Sequence, residues 1–166
     1  MYSRLALGII TIVQAAAALS SASAQAAGVD ACTVISTAEL KRITGRQDIL
    51  GRGPQAADPS ETPKGVSECE HLALSFSLTS AMTHDRFVDT QKSQVKGGTK
   101  ISPVSGVGDE AYLWWDPKSQ YNAQVGIAFR VGARRLVIMD MTKQDSIEAL
   151  KPMLLNVAKA AAPKLR

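Results

Sequence analysis

The stretch VGIAFRVGARRLVIMDM, residues 125–141, constrains this chain more than any other. Val125, Ile127, Phe129 and Val131 alternate with small or polar residues, the period of a strand that lays one face on a core. Gly132-Ala133 supplies a turn, and Leu136 to Met141 returns as a second strand. A hairpin with one apolar face must bury it, so the chain has to provide an antiparallel sheet and elements to cover it.

Those elements can be read on either side. HLALSFSLTS alternates Leu72, Leu74, Phe76 and Leu78 with smaller residues and reads as a half-buried strand. Cys69 and His71 fall on its opposite parity, so they precede the regular strand or a bulge intervenes. Ala111-Tyr-Leu-Trp-Trp115 is strongly strand-prone, and it leaves a turn built on Gly106 and Gly108 after Ser102-Pro103. In ISTAELKRITG, Ser36 with Glu39 three positions on is a capping box and Gly45 a stop, which predicts a helix from Thr37 to Thr44. THDRFVDTQKSQVKGG predicts a second helix, capped by Thr83 and ended by Gly97-Gly98. The last helix has Asp145 as its cap and Ile147, Leu150, Leu154, Val157 and Ala161 at helical spacing. Pro152 interrupts it, so a bend near Ala149 or two segments is expected. Residues 46–65 hold glycines and prolines with no period, and read as a long irregular loop. The expected fold class is α+β: a mainly antiparallel sheet of about four strands, with helices on one face.

The compartment follows from the first residues. Arg4 precedes an apolar run, Leu5 to Leu19, and Ala22-Ser23-Ala24 offers a cleavage site, which is the layout of a secretory signal peptide over residues 1–24. The run is too short and too alanine-rich for a stable membrane span, and no cysteine follows it closely to accept a lipid. Residues 25–166 suit a single domain, exported to the periplasm or secreted. Cleavage removes Arg4 and no acid, so the 19 basic and 15 acidic side chains become 18 and 15. That excess is scattered rather than gathered on one face, so no nucleic-acid partner is expected. Cys32 and Cys69, the only two cysteines, are expected to pair in an oxidising compartment. The loop they would close, about 40 residues, is worth about 3.5–4 kcal/mol in chain entropy.

Three chemistries compete with simpler readings. Gly106-Val-Gly108-Asp-Glu-Ala111 fits a loose dinucleotide pattern, but a strand follows it where a helix is needed, and Asp109 and Glu110 would repel phosphate. Ser105 lacks the elbow of a hydrolase nucleophile, and only His71 and His84 could serve it as a base. Glu68-Cys69-Glu70-His71 mixes metal-ligand types, yet Cys69 has Cys32 as a disulfide partner, so neither a metal nor a cofactor is expected. The aromatic strand is the remaining oddity. Tyr112 and Trp114 share one parity, Leu113 and Trp115 the other. A tryptophan could lie over Gly126 and Ala128, or stand as an exposed platform rimmed by Arg130 and Arg134 for a sugar or an anionic apolar ligand. The candidate ligand-binding residues are therefore Tyr112, Trp114, Trp115, Arg130 and Arg134.

A cysteine before a short helix ending in TG, a second leading into a strand, PVSGVGDEAY before another strand, and LVI before an alanine-rich last helix together resemble bacterial secreted domains of unknown function. The extracellular sensor domains of PknH-type kinases and related small lipoproteins are examples. The resemblance spans most of residues 30–162 and implies an α+β sandwich outside the cell that binds a ligand, with no catalytic residues to carry over. The chain lacks the lipoproteins' lipidation cysteine and the kinases' catalytic domain. The reading is a non-enzymatic envelope module that binds a small molecule or an envelope protein. Its rivals are an accessory or inhibitory protein that covers a partner, and a small envelope hydrolase or metal-binding protein.

Overall fold

A computed structural model describes residues 29–46, 55–58, 60, 63–71, 73–117, 125–141 and 147–166. The signal-peptide segment, most of the 46–65 loop, Leu72 and the Asp145 cap lie outside them. Among the described residues the elements run α1 (Thr37–Thr44), β1 (Gln55–Ala56), β2 (Val66–His71), β3 (Leu74–Thr79), α2 (His84–Lys96), β4 (Lys100–Val104), β5 (Glu110–Trp115), β6 (Val125–Val131), β7 (Arg134–Asp140) and α3 (Ile147–Ala161). A short 3₁₀ turn, Ala162–Leu165, follows α3.

All strands join one antiparallel sheet in the order β1-β2-β3-β7-β6-β5-β4. Seven strands replace the expected four, for two local reasons. The run around Leu72 is not one strand. His71 pairs with Leu74, so the chain reverses between them, and this is how Cys69 and His71 come to share the buried side with Leu74 and Phe76 despite their opposite parity. The Ser102-Pro103 segment, read as an approach to a turn, is β4, which pairs only with β5. Proline lacks the N–H that a central strand would need, and an edge position tolerates it.

The residue 125–141 hairpin forms as expected, with Val131 opposite Arg134 across Gly132-Ala133. Its first strand is central and buried on both sides from Val125 to Phe129. One face meets α3 through Leu150, Leu154, Val157 and Ala158, together with Leu40 of α1 and the preceding Val34 and Ile35. The other face is covered over β5 and β6 by α2, whose Phe87 packs on Tyr112 with ring centroids 5.2 Å apart. Helices therefore occupy both faces and not one. An amphipathic α2 has few alternatives once β5 sends Tyr112 and Trp114 to that side. Farther along the same face, β3 presents Ser75, Ser77 and Thr79, which are half-buried and need no cover.

The caps agree with their residues: Ser36 accepts from the Glu39 N–H, and Thr83 from the Arg86 N–H. α3 runs as one helix through Pro152. Pro152 is on the exposed side, while Leu150 and Leu154 are buried on either side of it, so packing holds both halves and the lost hydrogen bond faces water. Among the described residues, no helix is long and apolar enough to cross a membrane.

Candidate functional site

Cys32 and Cys69 form the disulfide, with Cα atoms 5.1 Å apart. It pins the segment before α1 against β2, and local hydrogen bonds set that segment's shape. Asp30 Oδ1 accepts from the Cys32 N–H at 2.8 Å and from the Ser67 hydroxyl at 3.1 Å, while Ser67 Oγ accepts from the Ala31 N–H at 3.1 Å. The carboxylate is thus held by one oxygen. An aspartate bonding the amide two residues on is an Asx turn, a sequence signal that could have drawn attention to Asp30.

The five candidate ligand residues separate. Tyr112 and Trp114 are 1% and 8% exposed, so no aromatic platform stands on that face. Tyr112 donates its hydroxyl to Gln94 of α2 at 3.1 Å. Burial pushes that hydroxyl's pKa up, and Arg135 nearby offsets part of the rise. Trp114 lies over Gly126: a Cβ there would sit 2.6 Å from the indole ring, so glycine is required by close approach. Trp115 faces the other side, half-buried, with Lys151 Nζ 4.6 Å from its ring centroid.

Arg130 belongs to an internal clamp. Its Nε donates to Glu110 Oε1 at 2.5 Å and its Nη1 to the Gly132 carbonyl. Glu110 Oε2 meets His84 Nδ1 at 2.7 Å. Asp109 closes the clamp, its N–H donating to the Arg130 carbonyl at 2.8 Å and its Oδ2 accepting from the Gly132 N–H at 2.7 Å. Burial raises the Glu110 carboxyl, but the bonds from His84 and Arg130 outweigh it and hold the group below its ordinary range. Gly108 makes the approach possible: its φ is +57°, and a Cβ would come within 2.4 Å of the Arg130 carbonyl oxygen. The GVGDEA pattern therefore grips the β6–β7 turn and runs into a strand, not into a helix.

His71 and His84 lie on opposite faces of the sheet. His71 is fully buried, edge-on to Phe76 at 5.3 Å, and among the described residues neither ring nitrogen is hydrogen-bonded. Among the described residues no hydroxyl or thiol bonds either histidine. Nor do three or more His, Cys, Asp or Glu gather where a metal ion could sit.

Arg134 differs from Arg130. Its Nη1 donates to the Leu165 carbonyl at 2.8 Å and more weakly to that of Arg166 at 3.4 Å. Among the described residues no Asp or Glu side chain pairs with it. It lines a cleft of about 370 Å³ together with Asp30, Val29, Val66, Leu78 and Ser80. A second cleft of about 540 Å³ lies on its other side, against Asp109 and Arg166. Elsewhere, Val88, Val95 and Ile101 form an apolar groove of about 400 Å³ between α2 and β4, rimmed by Lys92 and Lys96. No family model, curated protein or solved structure matches the chain.

Proposed function

We propose that the chain is a non-catalytic binding module of an oxidising compartment outside the cytoplasm, periplasmic or secreted, and that it holds a small polar ligand in the cleft between Asp30 and Arg134. The observation that carries this reading is Arg134. A guanidinium held through Nη1 by the end of the chain, facing a cleft and paired with no Asp or Glu side chain among the described residues, suits recognition of a ligand's anionic group. The disulfide and the signal-peptide pattern favour export, and the likeness to extracellular sensor domains points the same way. A hydrolase is less favoured, because His84 gives Nδ1 to a carboxylate that Arg130 also claims and, among the described residues, no nucleophile meets the ring. A metal site at Cys69 is disfavoured because its sulfur is in the disulfide.

The α2–β4 groove favours a second reading, an accessory protein that covers a partner. Val95 is 54% exposed there, and the flanking lysines suit an acidic amphipathic segment of that partner.

Native mass spectrometry on protein purified gently from an oxidising periplasm tests both. A small-molecule mass that is absent from the denatured spectrum and lost in Arg134→Gln is the expected result. A complex with an acidic protein that survives Arg134→Gln and dissociates in Val95→Glu would put the second reading in its place.

A further inference from the structure

The cleft is lined by two charged side chains of opposite sign, and they do not pair with each other. Asp30 and Arg134 both line it, yet among the described residues neither pairs with a charged side chain. Had their charged atoms come within 4 Å, they would neutralise one another and leave little to recognise. Both are instead fixed from behind. The Cys32 N–H and the Ser67 hydroxyl occupy Asp30 Oδ1, and no hydrogen bond among the described residues engages Oδ2. The Leu165 carbonyl occupies Nη1 of Arg134, and no such bond engages Nε or Nη2. The walls between them are largely aliphatic, from Val29, Val66 and Leu78, and the Ser80 hydroxyl is already turned to the Gly65 carbonyl at 3.1 Å.

We infer that this cleft binds a small zwitterion, an amino acid or dipeptide, with its carboxylate on Nε and Nη2 of Arg134, its ammonium on Oδ2 of Asp30, and an aliphatic side chain against Val66 and Leu78. The inference rests on the binding reading above and names its ligand class. A ligand with both charges satisfies both ends, whereas one with a single charge leaves the other end unanswered. Each charge-assisted bond is worth enough to separate the two cases clearly.

Calorimetric titration tests it with four probes: L-leucine, L-alanyl-L-leucine, N-acetyl-L-leucine and L-leucinamide. The expected result is that leucine or the dipeptide binds at least about tenfold more tightly than either singly charged analogue. Asp30→Asn should abolish that advantage over N-acetyl-leucine, and Arg134→Gln the advantage over leucinamide, with both variants checked for an unchanged melting temperature. The analogue comparison on the wild-type protein stands even if a variant misfolds. Equal affinity for N-acetyl-leucine and leucine overturns the zwitterion and leaves an anion-binding module. Silence of all four probes beside a retained small molecule in the native spectrum overturns it as well, and spares the binding reading. A bare protein in both experiments removes both.

Discussion

A buried imidazole with neither nitrogen bonded destabilises a core, and His71 sits beside Phe76 with no such bond among the described residues. Burial disfavours its charged form and lowers its pKa from 6.5. The unfolded chain then binds a proton that the folded one does not, so stability rises with pH through the range below about 6.5 and falls as the solution is acidified. Replacing His71 with Leu removes the orphaned atoms and the titration together. The variant should be more stable than the wild type by about 1–2 kcal/mol at pH 7.5, and the gap should widen at pH 5. Urea unfolding at the two pH values measures this. A gap that stays constant would assign the acid sensitivity to another group.

Among the elements, β5 and β6 depend on a single close approach. Alanine at 126 gains backbone stiffness worth about 0.5–1 kcal/mol, but its Cβ meets the Trp114 indole at 2.6 Å and must push the ring or the strand aside. Overpacking dominates, and Gly126→Ala should lower unfolding free energy by about 1–3 kcal/mol. Adding Trp114→Phe should recover part of that loss, because a smaller ring makes room; strictly additive losses in chemical denaturation would refute the contact. Features that one stretch of chain encodes by itself were legible in the sequence: the Ser36 and Thr83 caps, the residue 125–141 hairpin and the turn before Glu110. Features set between distant stretches were not. The reversal after His71 preserves an apolar rhythm, so two strands looked like one. The burial of Tyr112 and Trp114 depends on α2 crossing to their face, and small residues at Gly126 and Ala128 were its only sequence trace. Arg134 was named from the sequence, but for a platform that does not form. Asp30, its counterpart across the cleft, was missed because the disulfide and Ser67, 37 residues further on, bring it there.

At the scale of the whole molecule, the Cys32–Cys69 bond fastens the segment before α1 to β2 across a separation of 37 residues. Replacing both cysteines by serine should cost about 3.5–4 kcal/mol if loop entropy dominates, visible as a lower denaturation midpoint with the same fold by circular dichroism. On the proposed binding function, the ligand response should suffer before the fold does, since one wall of the cleft is the tethered Asp30 segment and the other belongs to the sheet. A chain still in the reducing cytoplasm would have Arg134 without a fixed Asp30 opposite it. If the protein is exported as proposed and binds a zwitterion, the newly made chain would therefore pass through the cell's own pool of amino acids without filling its site, and would gain its affinity only after oxidation on the far side of the membrane.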